Sequence, residues 1–600
     1  MTQHPAPHSP LLRWLPAIAF AYVALMMLAR APAGPELLFA LGNDSAMRLV
    51  SVRDLLAGQG WFDLTQSRLG LEGGFEMHWS RLIDAPLAGL VLLFDLFADR
   101  LHAEARALTV WPLLMLAAVV ALVTRIGTAL GGAAAGPVSG ALAAGMFWGD
   151  ARFLPGAIDH HNAQVALLLL LLWGVIDRRD RRVLPVAAGL ALAASLAIGV
   201  ETLPLLALCT FGMAGFWLAH GAVERGPVLR FALGAVGGLA LLFPALAPAS
   251  AYAGGYCDAF AIDLALPVAL GVGAMALAAA TVSHRPLRTR AGVLLGLFAG
   301  VGALTLAATP ACLSEPYGAL DPYLDARWMA FVREARSLAD LIATDAEPFL
   351  FGYYLLGLAT LALALSYAWR RRSGAWLLVG ILIGCALAIG SYQLRGVFAL
   401  TALSAPVMGV TTAALHRGWR DGRGTGWGLA ALAFTLLALP MSWVQLSNGA
   451  ETLTQHVARS GNATPAAPDR DTLACFTPGA MAALAALPEG VVSAPSNFGT
   501  RVLLHSGHRT LSAPYHRNQD GMRAQLEITL AATPEAARAA LQKYGVDYML
   551  VCLKDPELST LARAGFDGFG YALESGAVPG FLTEIPTDAP ESALRIYRVN

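Results

Sequence analysis

Apolar runs long enough to approach or cross a hydrocarbon core of about 30 Å recur along the first three quarters of this 600-residue chain. Thirteen are expected as transmembrane helices, at 13–30, 106–124, 132–148, 163–177, 183–200, 203–220, 229–248, 264–283, 291–309, 349–369, 375–391, 397–415 and 427–446. Composition agrees: 56% of residues are hydrophobic and 14% charged. A water-soluble globule of this make-up would lack the polar surface to cover itself. The 41 basic and 41 acidic residues cancel, which removes any electrostatic argument for a nucleic-acid partner.

Arginine fixes an orientation. Arg178, Arg179, Arg181 and Arg182 share one connection, followed at every second gap by Arg225 and Arg230, by Arg285, Arg288 and Arg290, by Arg370, Arg371 and Arg372, and by Arg417, Arg420 and Arg423. The positive-inside rule assigns these loops and the N-terminus to the cytoplasm. The opening run reads as a span rather than a cleaved signal peptide, because removing it would invert the arginine pattern. The expected layout is a membrane domain over 1–446 and a soluble extracytoplasmic α/β domain over 447–600. The outer connections are then 31–105, 149–162 and 310–348. Within the first, 86–97 is apolar but short, and is expected to be re-entrant or interfacial. The tail predicts a helix near 534–543 and β-type runs at 491–494, 502–504 and 548–552. Outer cysteines suggest two bridges, Cys257 with Cys312 and Cys475 with Cys552, while Cys209 and Cys385 sit in spans as packing residues.

Polar chemistry concentrates in the outer connections. Gly42-Asn43-Asp44-Ser45-Ala46-Met47-Arg48 opens an amphipathic helix that stops at Gly58. Asp44 there can cap the helix start or serve a site. The second connection reads Phe153-Leu154-Pro155-Gly156-Ala157-Ile158-Asp159-His160-His161-Asn162. Asp159 and His161, two residues apart, pair a carboxylate with an imidazole, donors suited to Mg²⁺ or Mn²⁺; a hydrated loop near lipid headgroups is the competing reading. His78-Trp79-Ser80-Arg81 mixes aromatic and ionic groups suited to sugar and phosphate, or to an interfacial belt. Glu201 is an acidic group at a helix junction where burial is costly unless it is paired or hydrated.

Together, thirteen spans, an outer C-terminal domain, an acidic motif after the first span and an Asp-containing motif in the second outer loop resemble the catalytic subunit of oligosaccharyltransferase. More broadly they resemble the GT-C superfamily of membrane glycosyltransferases that use polyprenyl-linked sugar donors. The 153–162 phrase is similar to that of the archaeal members. The resemblance implies that Asp44, Asp159 and His161 hold a divalent cation, although some relatives work with a bare aspartate. It implies that Glu334, with Glu315 in reserve, touches the acceptor, and that Arg395 in Ser391-Tyr392-Gln393-Leu394-Arg395-Gly396 holds the donor phosphate. Arg48, His78, Trp79, Arg81, His160 and Glu201 are expected around the substrate. The family's Trp-Trp-Asp-Tyr-Gly signature is missing; 493–501 and 507–518 come nearest, with a strand-loop-strand look. The implied activity is glycosyl transfer from a polyprenyl-phosphate or -pyrophosphate donor to a glycan, lipid or protein acceptor outside a bacterial inner membrane. A flippase or transporter, and a polysaccharide polymerase or ligase, are the alternatives.

Overall fold

The computed structural model describes residues 10–309, 320–344, 348–440, 442, 472–553, 555–587, 589 and 592–600. Each of the thirteen apolar runs overlaps a helix among the described residues. The helices are Leu15–Leu28, Arg100–Gly131, Ala135–Met146, His161–Ile176, Leu184–Ile198, Leu203–His220, Ala222–Leu246, Ile262–Val282, Leu287–Ala308, Pro348–Arg371, Gly374–Tyr392, Leu400–Arg420 and Thr425–Ala438. Among the described residues, eight helices are long and apolar enough to cross a membrane. The longest, Arg100–Gly131, begins six residues before its apolar run, because Asp99 caps the helix by accepting from the His102 amide at 3.2 Å.

Without a hydrophobic force between helices in lipid, close packing must come from small residues that let backbones approach. The Leu184–Ile198 and Ala222–Leu246 helices meet in this way: a Cβ on Gly189 would collide with the Phe231 carbonyl oxygen, and one on Gly234 with that of Val186. The opposite extreme is Leu287–Ala308, of whose side chains only Leu294 is fully buried, while Val293, Leu297 and Phe298 pack partly against the core.

Two helices precede the long one. Asn43–Leu56 is the expected amphipathic helix, with Ala46, Met47, Leu49, Val50 and Val52 in the core. The 86–97 segment belongs to the helix Arg81–Asp95, which buries its first turn and exposes Leu92 and Leu93, with Leu96 and Phe97 exposed just beyond it. Between these helices runs a short hairpin, β1 (Thr65–Gln66) and β2 (Phe75–Glu76).

The C-terminal region is a five-stranded sheet. Its strands are β3 (Val491–Ser493), β4 (Arg509–Thr510), β5 (Tyr548–Cys552), β6 (Leu582–Ile585) and β7 (Leu594–Val599), in the order β4-β3-β5-β7-β6. The first three are parallel and β7 runs antiparallel to β5 and β6. A parallel neighbour needs a crossover, which corrects one expectation: 502–504 is not a strand but part of the helix Gly499–His505, which carries the chain from β3 to β4. The Pro534–Lys543 helix forms as expected, its start capped by Thr533. Cys475 and Cys552 are bridged, with Cα atoms 5.9 Å apart. Cys257 is also a disulfide cysteine, while Cys312, its expected partner, lies outside the described residues, as does Glu315. Cys209 is free and buried, and Cys385 is free and half-buried.

The sheet is docked on the first connection. Leu69 bridges Thr510, so the hairpin segment covers the β4 edge of the sheet. Phe39 stacks on His505 with ring centroids 4.3 Å apart. The Arg68 guanidinium donates to the Ser506 and Leu503 carbonyls at 2.8 and 2.9 Å.

Candidate active site

A cavity of about 1110 Å³ opens between the helix bundle and the C-terminal sheet. Its walls come from the connections that alternate with the arginine-bearing ones. Asp44, Asp159, His160, His161, Glu201, Glu334 and Arg395 all line it, as do His78 and Trp79.

Local structure explains each position. Asp44 stands in the first turn of Asn43–Leu56, where the helix dipole favours a carboxylate. The His161–Ile176 helix starts where Asp159 Oδ1 accepts from the His161 amide at 2.9 Å. That puts Asp159 and His161 on the same helical entry. Asn162, fully buried, braces the loop by donating to the carbonyls of Ala157 at 2.9 Å and Arg152 at 3.1 Å. Glu201 lies in the turn between Leu184–Ile198 and Leu203–His220. One carboxylate oxygen meets His160 Nε2 at 3.1 Å and the other accepts from Gln164 at 2.7 Å. Arg395 lies in the 3-10 turn Leu394–Ala399, and Glu334, exposed, in another over Arg333–Ala335.

Burial raises the Asp44 carboxyl above the ordinary aspartate range; His161 opposes that shift, Asp159 adds to it, His160 opposes and Glu334 adds. Glu201 goes the other way. Burial would raise it, but the His160 charge and hydrogen bond, with help from His161 and Gln164, hold it well below the usual glutamate value. Burial pushes the His78 imidazole down to about 3, with His516 adding to the shift.

Two expected substrate contacts are corrected. Arg48 and Arg81 are each 1% exposed and face Asp84 instead of the cavity. Arg48 meets Asp84 at 2.8 Å and Arg81 meets it at 3.1 Å. Buried guanidinium groups need a counter-charge, and Asp84, at the start of the Arg81–Asp95 helix, supplies one for both. Arg48 still bears on the site indirectly: its guanidinium lies 4.3 Å from the Trp79 ring centroid, and its Nη2 is 3.5 Å from His160 Nδ1.

The three residues expected to hold a cation are brought to one cavity without being gathered into a cluster. Asp44, Asp159 and His161 share the cavity and offer suitable donor types, yet among the described residues no group of three or more His, Cys, Asp or Glu is gathered to hold an ion. Asp159 is engaged by the His161 amide, and His161 Nδ1 lies 3.4 Å from Gln164 Oε1.

The sequence reading missed the contribution of the sheet. The carboxyl ends of β4, β3 and β5 all lead to the cavity: Pro514, Tyr515 and His516 follow β4, Ser496 and Asn497 follow β3, and Glu557 and Thr560 follow β5. Clefts at the carboxyl ends of parallel strands are the usual ligand sites of open α/β sheets. A signal was present in the repeated triplet Ser493-Ala494-Pro495 and Ser512-Ala513-Pro514, each leaving a strand. Tyr515 packs edge-on against Trp79, with centroids 5.5 Å apart. Asp258, from the connection holding Cys257, binds Arg517 at 2.8 and 2.6 Å and His516 at 2.6 Å. Those bonds outweigh burial and hold its carboxyl well below the usual range.

No protein-family model and no curated protein matches the chain. Solved structures do. An oligosaccharyltransferase of Archaeoglobus fulgidus, AglB in complex with an inhibitory peptide and a dolichol-phosphate, matches with a TM-score of 0.67 at 13% identity, over 99% of this chain and 75% of that one. The same organism's enzyme tethered to an acceptor peptide containing the NVT sequon gives 0.62 at 13%, over 98% and 74%. Its complex with Zn and sulfate gives 0.59 at 14%, over 95% and 72%. With the helices, the docked sheet and the cavity between them in view, the chain has the fold of the archaeal oligosaccharyltransferase.

Proposed function

We propose that this chain is a membrane glycosyltransferase that moves a sugar or oligosaccharide from a polyprenyl-phosphate or -pyrophosphate donor to an acceptor on the outer face of the membrane. The reading rests on one observation. Asp44, Asp159, Glu201 and Glu334, each from a separate connection, and the Arg395 guanidinium line a single cavity in a chain with this fold.

In this reading the donor's isoprenoid tail stays in the bilayer, and its phosphate meets Arg395, whose planar guanidinium can bond two phosphate oxygens at once. Asp44 accepts the proton of the acceptor hydroxyl or amide as that atom attacks the anomeric carbon. The carbon–oxygen bond to the phosphate breaks on the opposite face, the phosphate leaves with the electron pair, and the anomeric centre inverts. Arg395 then offsets the charge that develops on the leaving group. Asp159 and His161 shape the electrostatics around Asp44, Glu334 stands on the acceptor side, and His78, Trp79, His160 and Glu201 line the substrate path. The membrane is the bacterial inner membrane, the N-terminus cytoplasmic, and the sheet after residue 447 extracytoplasmic. The absence of a Trp-Trp-Asp-Tyr-Gly signature leaves glycans and lipids beside proteins as acceptor classes.

The test incubates purified full-length protein with radiolabelled polyprenyl-phosphate and polyprenyl-pyrophosphate sugars and membranes, with Mg²⁺, with Mn²⁺ or with EDTA. Label entering a glycan, lipid or protein pool, and lost with Asp44→Asn, supports the reading. Transfer that survives EDTA assigns the chemistry to side chains alone, and loss under EDTA restored by either ion assigns an ion to it. Labelled lipid that only changes leaflet in sealed vesicles would instead make the chain a flippase.

A further inference from the structure

Arg152 and Phe398 are 246 positions apart in sequence, yet they meet where both line the cavity. Arg152 Nη1 donates to the Phe398 carbonyl oxygen at 2.5 Å, and its guanidinium carbon stands 5.0 Å from the centroid of the Phe398 ring. Phe398 belongs to the Leu394–Ala399 turn that carries Arg395. The guanidinium is aimed by Asp150, whose Oδ1 accepts from Nε at 2.9 Å and whose Oδ2 accepts from Nη2 at 2.5 Å. This bidentate pair fixes the plane of the fork and leaves Nη1 for the carbonyl. The connection that holds Arg152 is also tied to the helix of Asp44, because the Ile158 amide donates to Ser45 Oγ at 3.1 Å. Between the two ties, Asn162 bonds the carbonyls of Arg152 and Ala157 and braces the loop.

We propose that Arg152 is a positioning residue for the donor site: it fastens the second outer connection to the Leu394–Ala399 turn and so fixes where Arg395 stands relative to Asp44. The inference rests on the function proposed above and deepens it. A guanidinium can take two phosphate oxygens at once only if the backbone beneath it is held to within a fraction of an ångström. The start of the turn is held from elsewhere: the Leu394 amide donates to the Arg336 carbonyl at 3.0 Å, and a Cβ on Gly396 would collide with the Gly390 nitrogen. Arg152 holds the other end. The connection thereby acts as a strut, with one foot on the residue after Asp44 and the other on the turn of Arg395. A base and a phosphate grip that work on opposite faces of one anomeric carbon need a set separation, and the strut supplies it. Arginine suits this place because its planar fork satisfies the Asp150 carboxylate with two bonds and still presents a third nitrogen and a face to the Phe398 ring, which a lysine ammonium cannot do.

The experiment is a double-mutant cycle read by binding as well as by turnover. Purified full-length protein is titrated with polyprenyl phosphate carrying no sugar, the labelled-donor transfer assay is run beside it, and each thermal transition is recorded. The four chains are the parent, Arg395→Ala, the paired variant Asp150→Asn with Arg152→Gln, and the paired variant combined with Arg395→Ala. Changing Asp150 and Arg152 together leaves no buried carboxylate without its counter-ion. The paired variant is expected to weaken polyprenyl-phosphate binding about 10-fold, within the range of coupling between residues of one network, and to raise the KM for the donor by a similar factor. In the Arg395→Ala background, where the isoprenoid tail still supports binding, the same change is expected to cost less than about twofold. Arg152→Lys should fall between the parent and the paired variant. A paired variant that folds and binds as the parent does overturns the inference. So does an equal loss in both backgrounds, because Arg152 then touches the lipid phosphate itself or acts on the fold alone. If the paired variant does not fold, Arg152→Lys runs the same cycle: coupling to Arg395 supports the inference, and additivity overturns it. With an additive cycle, a parent that binds polyprenyl phosphate and transfers label loses this inference alone; a parent that does neither loses the proposed function as well.

Discussion

Replacing Asp84 by Asn should damage this protein more than replacing Asp84 and both its arginines together. Asp84 is 2% exposed and is the only carboxylate ion-paired with Arg48 and Arg81 among the described residues, and each of those arginines is 1% exposed. Asp84→Asn keeps the shape and removes the charge, so two guanidinium groups lose their counter-ion. Arg81 retains Gln59 Oε1 and the Asp63 carbonyl, both at 2.7 Å, but Arg48 is left with His160 and the Trp79 ring. Breaking a buried ion pair from one side costs about 3–5 kcal/mol, whereas exchanging the whole set for apolar residues of similar size is often neutral or stabilising. Because about 2–4 °C of Tm accompanies each kcal/mol in a unit of 150–250 residues, and less in a larger one, the single variant should melt several degrees lower. The assay is thermal unfolding of detergent-purified protein, followed by retention of a monodisperse peak after heating. The Arg48→Met, Asp84→Leu, Arg81→Met triple variant should recover most of the loss. A single variant that melts with the parent, or a triple variant that melts below the single, would refute the idea that uncompensated charge is what makes this cluster sensitive.

Four further outcomes are expected. Asp44→Asn should lower transfer about 10²- to 10⁴-fold, the usual worth of a positioned general base, with folding unchanged by thermal melt. Arg395→Ala should raise the KM for the lipid-linked donor more than it lowers kcat, and Arg395→Lys should restore charge but only part of the affinity, because a single ammonium cannot make the paired contact of guanidinium with phosphate; donor titration separates the two. Reducing the Cys475–Cys552 bridge, which closes 77 residues of sequence, should destabilise the sheet by about 4.5 kcal/mol on the chain-entropy estimate, seen as faster proteolysis within 472–600 under reductant. Acid should weaken the docked state through His78: the unfolded imidazole takes up a proton as pH falls below 6.5, while the buried one stays neutral down to about 3, so stability falls across that interval. Asp258 adds to the loss at lower pH, its folded value being depressed, so its stabilisation is present above the unfolded value of 3.8 and fades below it. Melting temperature against pH for the parent and for His78→Gln checks the first part, and the variant should show the flatter curve above pH 4.

Much of this was legible because two strong signals run through the sequence. Apolar length and the alternation of arginine loops located thirteen of the helices among the described residues, and the same alternation put Asp44, Asp159, Glu201 and Arg395 at one end, where they line one cavity. What the sequence could not separate was a polar residue facing the cavity from one facing a neighbour. Arg48 is one helical turn beyond Asp44, yet that turn points it at Asp84, 36 residues away in sequence and supplied by a different helix. The short run 502–504 failed for a related reason: three apolar residues carry no period, and only the parallel pairing of β3 with β4 requires a helix between them. The role of the tail was invisible because Tyr515 reaches the Asn43 carbonyl across 472 positions, a distance over which no local pattern speaks.

The three strands β4, β3 and β5 keep their ladder whatever chain follows them, since each hydrogen bond ends before the carboxyl-end loop begins. The loops at 495–497 and 514–516 thus vary without touching the ladder, although Asn497 and Tyr515 also tie them to Asn43, and His516 to Asp258. Under the proposed function, grafting foreign loops there, with Asn497, Tyr515 and His516 kept, is a route to altered acceptor preference.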